Sequence, residues 1–536
     1  MLGDAGERRL VLARDSSASR ARPPQRGRCN RNRHVTASLE SGPSEPADNE
    51  TLTQKAARGV RWTTTSMIVV TALQLAQVAV LARLLPRTDF GLMAMITVVL
   101  GFGAAYADMG LSNAVIYRQD ATRDQLSSLY WLNVLAGLGV YAAILALTAA
   151  IAAFYREPRL LHLLPVAGLV FVIAPFGQQF RALLQRGLRF RLLATVDMCA
   201  AATGAAIAIV CAVSGLGVLS LIAGQLVNTA VRAATLCTIG WRSERPRLQF
   251  RWHDTRGFVS FGLYQMGERS VNQLTANLDY LVIGRMLGPA VLGTYAIAYQ
   301  LVVMPMMKMS PVLMRVAFPV FAMRQNDPAT LRRGYARVSG LLAFAVCPFL
   351  VALVILAPVV VPVVYGPKWP DAIPLVQVLG VMALLKILSN PSGAVFLAIG
   401  RANVGFWLNL GTAVAALGGF VVAATYGGAT GVAWAWAAIA AGAFSVILLL
   451  LRRFIGLGLR EYFATLRRPL WIIAAAGLVV ATGRWALAPV VANQLLLLGV
   501  LVVLGVSVYF ALWWLVDRSY VVTMVRVLAG RKVEES

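Results

Sequence analysis

From residue 62 onward the chain is a train of apolar runs of about 20 residues each, the length at which an α-helix crosses the hydrocarbon core of a bilayer. The runs cover 62–82, 90–110, 129–153, 162–180, 192–213, 217–239, 258–281, 292–312, 338–361, 373–398, 405–425, 430–451, 470–488 and 495–516. A segment in lipid must satisfy its backbone hydrogen bonds within itself, so the expectation is about fourteen transmembrane helices. Composition agrees. Of 536 residues, 58% are hydrophobic and 13% charged, against about 25% charged in soluble domains. A chain this long with so little charge cannot cover its surface with polar groups, and the fold class it implies is an all-α integral membrane protein.

The charges that remain set the topology. There are 49 Lys and Arg against 23 Asp and Glu, a formal +26. If the N-terminus is cytoplasmic, about 38 of the basic residues fall in cytoplasmic segments and about 7 in external ones, the bias that the positive-inside rule requires. That rule also explains the basic balance better than nucleic-acid binding does, and no nucleic-acid partner is expected. An even number of spans puts both termini inside. Residues 1–50 pair an Arg-rich half with an acidic stretch and contain no apolar h-region, so they read as a disordered cytoplasmic tail rather than a signal peptide. The five cysteines form no CxxC pair. No disulfide framework, metal site or cofactor is expected.

The chain also repeats itself. The stretch Arg83-Leu-Leu-Pro-Arg-Thr-Asp-Phe-Gly91 returns as Arg285-Met-Leu-Gly-Pro-Ala-Val-Leu-Gly293, offset by 202 residues. Polar residues flank both copies. Thr63, Ser66, Gln74 and Gln77 share one helical face, and adding 202 to Thr63, Ser66, Val70 and Gln77 gives Gln265, Glu268, Asn272 and Asp279, again on one face. Duplicated halves with a polar seam between them are a transporter's plan.

Eight ionisable residues fall inside the apolar runs: Asp108, Asp197, Arg232, Glu268, Arg269, Asp279, Lys308 and Lys386. Each charge at the bilayer centre costs about 2.5–3.5 kcal/mol on the lenient scale, so all eight must face protein or water. One reading is a hydrated cavity lined by Gln77, Gln265, Glu268, Asn272 and Asp279, with Arg232, Arg269, Lys308 and Lys386 available to an anionic cargo. The other is interhelical pairing, such as Asp279 with a base, that locks the halves together. The polar character of the whole stripe favours the cavity. Acids and bases nearly cancel there, so an anionic cargo implies that the acids are protonated at one stage of a cycle. Lys386, followed by Ser389-Asn390-Pro391, marks a broken helix.

Gly59-Val-Arg-Trp62, the Arg83–Gly91 hairpin, Asp108-Met-Gly-Leu-Ser-Asn113 and Leu278-Asp-Tyr-Leu-Val-Ile-Gly-Arg-Met-Leu-Gly288 together resemble the Wzx-type polysaccharide flippases. The resemblance points to the branch of the colanic-acid exporters (WzxC-like), within the multidrug/oligosaccharidyl-lipid/polysaccharide exporter superfamily. It covers about residues 52–520 and leaves the Arg-rich tail outside. It implies two pseudo-symmetric six-helix lobes, 51–239 and 258–451, joined by a basic linker at 240–257. Two further helices in 452–516 and a basic tail at 517–536 complete the chain. It also implies alternating-access transfer of an undecaprenyl-pyrophosphate-linked oligosaccharide from the cytoplasmic to the periplasmic leaflet of a bacterial inner membrane. Membrane lipids, a polysaccharide polymerase and export machinery would then be partners. Glu268, Asp279 and Asp108 are the candidates for ion coupling.

Three other functions compete. A multidrug or cation antiporter of the same superfamily suits twelve spans and a more acidic lumen. A membrane polymerase or ligase needs catalytic groups on sizeable external loops, and these loops are short, the longest running from about Val363 to Ala372. A lipid II flippase has the same composition, but the motifs lean towards polysaccharide export. No G-x-x-x-x-G-K-[ST] motif is present, so ATP hydrolysis by this chain is not expected, and the chain is read as a transporter rather than an enzyme.

Overall fold

A computed structural model describes residues 52–107, 122–243, 245–247, 252–323 and 327–518, with the side chains at 52–58, 60, 243, 252–268, 271, 305, 307–323 and 402 outside that description. Among the described residues there are fifteen helices and no strand. In chain order they are α1 (Leu52–Leu84), α2 (Arg87–Ala107), α3 (Arg123–Tyr155), α4 (Leu160–Gly168), α5 (Val170–Arg186), α6 (Phe190–Val213), α7 (Val218–Ser243) and α8 (Trp252–Met323). Then follow α9 (Pro328–Ala345), α10 (Cys347–Tyr365), α11 (Ala372–Ser389), α12 (Pro391–Ala398), α13 (Ala402–Ile455), α14 (Leu459–Leu487) and α15 (Gln494–Val516).

Local chemistry sets several of the ends. Thr122 caps α3 in a reciprocal box with Gln125, satisfying two backbone groups that would otherwise be orphaned. Asp327 and Asn493 accept from the first N–H groups of α9 and α15. Proline explains where single apolar runs became two helices. Pro348 and Pro391 sit in the first turns of α10 and α12, where the missing N–H is harmless, and neither can donate the backbone hydrogen bond that would tie it to the preceding helix. Asn390 therefore does mark a break, although it keeps helical dihedrals.

The opposite happens at two glycines. α8 runs for 72 residues, about 108 Å at 1.5 Å per residue, more than three times the core of a bilayer. It leaves helical geometry at Gly288 (φ 82°, ψ 178°), and the 54-residue α13 does so at Gly428 (φ 57°, ψ −147°). Positive φ is strained for any residue with a Cβ. Gly288 lies 202 residues beyond Pro86, so the reversal inside α8 is the second copy of the α1–α2 turn. By length and composition alone, twelve stretches among the described residues can cross a membrane, rather than fourteen. Two of the twelve, Asn272–Met304 and Asn403–Ile455, contain these glycines.

The all-α membrane architecture is evident in what is buried and what is not. Trp407, Val503 and Leu515 are 65–81% exposed on outer helix faces, which only a lipid solvent tolerates in such number. Inside, α3, α5, α6 and α7 share a cluster built on Tyr130, Phe180, Leu193 and Leu236. α8 packs with α11, α12 and α13, while α14 and α15 attach to α10 through Leu356, Val480, Leu497 and Leu501. The most extensive contact of all joins α2 to α8.

Candidate functional site

Where α2 meets α8, the two copies of the repeated hairpin close on each other. A Cβ on Gly91 would lie 1.7 Å from the Pro289 carbonyl oxygen, and a Cβ on Gly293 would lie 2.0 Å from that of Arg87. The same offset of 202 converts Gly91 into Gly293 and Arg87 into Pro289. The contact is therefore reciprocal, as across a two-fold axis, and only glycine lets the backbones approach this closely.

The α10–α11 loop fastens the same end. The last carbonyls of α1 have no partner within their helix. Lys368 Nζ donates to Arg83 O at 2.9 Å, and Trp369 Nε1 donates to Ala82 O at 3.0 Å. In return Arg83 donates to Val363 O, and Arg87 donates to Lys368 O and pairs with Asp371 at 2.6 Å. The buried Trp369 ring meets Phe90 edge-on at 5.5 Å.

Deeper in the second half lies a fully buried carboxylate. Asp279 Oδ2 accepts from Tyr295 Oη at 2.8 Å and Trp436 Nε1 at 3.0 Å, while Oδ1 accepts from the Tyr280 N–H at 2.9 Å. Asp279 and Tyr295 come from the two sides of the Gly288 reversal, and Trp436 from α13. On the face of the same indole sits Lys386 Nζ from α11, 3.8 Å from the ring centroid. Trp436 thus turns its positive edge to the carboxylate and its negative face to the ammonium.

A second charged group bridges α5, α6 and α7. Arg181 grips Asp197 with both terminal nitrogens, at 2.8 and 2.9 Å. Arg232 Nε lies 3.2 Å from the same carboxylate but is not aligned to donate, and it finds no acceptor among the described residues. Two guanidiniums thus share one carboxylate, leaving a net positive, half-buried cluster with spare donors.

The residues singled out from sequence are distributed among these features. Asp279 and Lys386 come together through Trp436, and Arg232 joins Asp197. Asp279 does not line an open space in this conformation, because its oxygens are occupied and its surface is covered. Gln77 and Arg269 are half-buried, Arg269 has a partner, and Asn272 is exposed. The side chains of Gln265, Glu268 and Lys308 lie outside the described residues, and so does Asp108 entirely. Sequence reasoning missed Tyr295 and Trp436, whose aromatic types read as ordinary core. The apolar run 162–180 also stops one residue short of Arg181, whereas α5 continues to Arg186. Among the described residues no three His, Cys, Asp or Glu side chains gather as a metal site.

A duplicated bundle of membrane-crossing helices, shut at one end by its own repeat and carrying buried charge within, defines a transporter-like membrane protein. The profile of a family described as "Polysaccharide biosynthesis protein" matches residues 80–374, and the chain belongs to that family. The teichuronic acid biosynthesis protein TuaB of Bacillus subtilis (strain 168) is 31% identical over 428 residues, covering 80% of this chain and 89% of its own. The lipopolysaccharide biosynthesis protein WzxC of Escherichia coli (strain K12) is 33% identical over 381 residues, covering 71% and 77%. Among solved structures, the lipid II flippase MurJ in an inward closed conformation superimposes with a TM-score of 0.68 at 12% identity, covering 87% of this chain and 100% of that one. At that identity the likeness is one of fold.

Proposed function

We propose that the protein is a flippase for polyprenyl-pyrophosphate-linked oligosaccharides, carrying them from the cytoplasmic to the periplasmic leaflet of a bacterial inner membrane. The observation that carries this reading is the reciprocal contact of Gly91 with Pro289 and Gly293 with Arg87. Two copies of one hairpin shut one end of the molecule, and alternating access needs such a closure that can part again. Family membership and the relatives in surface-polysaccharide synthesis narrow the cargo.

In this account residues 51–239 and 258–451 are two lobes of six helices, the halves of α8 and of α13 count as separate spans, and both termini are cytoplasmic. The hairpin end is then external and closed. The glycan and pyrophosphate travel between the lobes while the prenyl chain stays in lipid. Arg232, with Arg181 beside it, offers donors to the pyrophosphate, joined by Arg269, Lys308 and Lys386; Gln77, Gln265 and Asn272 receive sugar hydroxyls. Glu268, Asp279 and Asp108 are the coupling candidates. A periplasmic polymerase and export machinery would take up the product.

The test uses a deletion strain, following prenyl-linked oligosaccharides by side-specific glycosidase access in inverted and right-side-out vesicles. Confinement to the cytoplasmic leaflet, reversed by the wild-type gene, is expected. Normal periplasmic exposure of unpolymerised units would instead place the protein at a later step.

A further inference from the structure

Between α2, α3 and the first half of α8 lies an apolar groove of about 890 Å³. Its α3 wall is a single helical stripe running from Leu132 through Gly139, Ala143 and Leu147 to Tyr155. No neighbouring atom lies within 4 Å of where a Gly139 Cβ would stand. Val98 and Phe102 of α2 form the opposite wall, and Leu281 of α8 completes it.

One end of the groove is chemically different. Phe154 and Tyr155 line it there, and Arg285, one turn beyond Leu281 on the same face of α8, stands over the Phe154 ring at 5.7 Å. The Arg285 Nη1 is buried and has no hydrogen-bond partner among the described residues, and neither has the hydroxyl of Tyr155, which is 4% exposed.

The repeat shows what this arginine lacks. Its counterpart 202 residues earlier is Arg83, which donates to Val363 O at the end of α10. The ends of α3 and α10 are alike. Each has a buried tyrosine with an unpartnered hydroxyl, Tyr155 and Tyr365, followed by a residue of positive φ, Arg156 and Gly366. The difference between the halves therefore lies in the arginine. In one half it is fastened by a carbonyl. In the other a buried N–H is left at the mouth of an apolar groove, where leaving a charged donor unsatisfied is unfavourable.

We propose that this groove holds the hydrocarbon chain of a polyprenyl phosphate, with Arg285 donating to its phosphate. Length selects the chain. From Leu132 to Tyr155 the stripe rises about 34 Å, the full hydrocarbon thickness of about 30 Å, whereas a phospholipid acyl chain fills only its own leaflet. Charge selects the head, since a guanidinium with free donors fits a phosphate. The groove is separate from the Arg181–Asp197–Arg232 cluster. The inference rests on the flippase reading for the identity of the lipid, and it makes the groove a tail site opening at the hairpin end.

The test is photolabelling of the full-length protein in nanodiscs with a polyprenyl phosphate bearing a diazirine in its chain. Crosslinks on α3 between Leu132 and Tyr155 are expected. Unlabelled polyprenyl phosphate should displace the probe, and phosphatidylglycerol at the same concentration should not. Arg285→Ala should weaken competition by polyprenyl phosphate about tenfold while leaving competition by uncharged polyprenol unchanged, and Arg285→Lys should restore part of it. Gly139→Trp, which fills the groove without touching the arginine, should abolish the α3 crosslinks in protein that stays monodisperse. Equal displacement by phosphatidylglycerol, or an Arg285→Ala variant that competes like wild type, overturns the proposal. Crosslinks at Arg232 without any on α3 overturn the groove but leave the flippase reading standing. No saturable crosslink anywhere overturns both.

Discussion

The Pro289 carbonyl oxygen occupies the space that a side chain on Gly91 would need, 1.7 Å from an ideal Cβ, and Arg87 does the same to Gly293 at 2.0 Å. Both obstacles are backbone, so neither can swing aside. Gly91→Val or Gly293→Val should therefore force α2 and α8 apart, destabilising the closed form by about 1–3 kcal/mol. Thr294 is buried beside this contact. A cysteine at position 294 should react slowly with an impermeant maleimide in the wild-type background and several-fold faster, about in proportion to the lost closure, in either variant. Unchanged labelling would show that the hairpins do not seal this end.

Trp436 serves two charges through two different faces, and substitutions can separate them. Trp436→Phe keeps a ring beneath Lys386 but removes the N–H given to Asp279, and should lower stability by about 1–2 kcal/mol. Trp436→Leu removes both contacts and should lower it by about 2–4 kcal/mol. Thermal unfolding midpoints in detergent give the comparison. Equal losses for the two variants would mean that the ammonium–ring contact contributes nothing.

Arg181 and Arg232 touch the same carboxylate but should not be equivalent. Arg181 holds Asp197 with two bonds, and Arg232 approaches it without one. About a third of each guanidinium side chain is exposed, so Arg181→Ala should cost a screened 1–2 kcal/mol or about that. Arg232→Ala should leave the unfolding free energy within about 0.5 kcal/mol of wild type and yet reduce export. Full export by folded Arg232→Ala protein would remove Arg232 from the cargo path.

At the α3–α4 turn, the hydrogen bonds and charge of Arg159 hold the Glu157 carboxyl below its ordinary value of 4.5. A depressed carboxylate contributes stability that is present above the unfolded value and is lost as pH falls through the folded one. Glu157→Gln should therefore unfold earlier than wild type near neutral pH, and the gap should close as the pH drops below 4.5. The pair is partly exposed, so the effect is small and salt-sensitive. A gap that widens on acidification would contradict the pairing.

What could be read from sequence depended on whether its cause was local. Apolar runs, the repeat at Arg83–Gly91 and Arg285–Gly293, and the break at Asn390-Pro391 all leave marks within a few residues. Asp279 stood out as a charge in an apolar run, but Tyr295 and Trp436 did not. They are joined to it across 16 and 157 positions, and nothing local distinguishes a tyrosine that donates to a buried acid from one that fills space. The run 162–180 ends before Arg181 because hydropathy falls where the arginines begin. The helix continues regardless, since its backbone bonds and the pairing with Asp197 do not depend on lipid. The conflict between cavity and lock at Asp279 came from the same source. A polar stripe can face water or other polar groups, and in this conformation Asp279 faces Tyr295 and Trp436.

The central claim is that the hairpin end must part for lipid-linked oligosaccharide to cross. Arg87 and Asp371, paired at 2.6 Å across that end, allow it to be fastened. A variant with Arg87→Cys and Asp371→Cys, and with the five native cysteines replaced, would be reconstituted in proteoliposomes with a polyprenyl-pyrophosphate oligosaccharide. It would then be treated with a short, reducible bis-maleimide. Glycosidase protection of the substrate reports its leaflet. The account predicts that crosslinking lowers transfer to the protein-free background and that reduction restores it. Transfer at the uncrosslinked rate by fully crosslinked protein would contradict it.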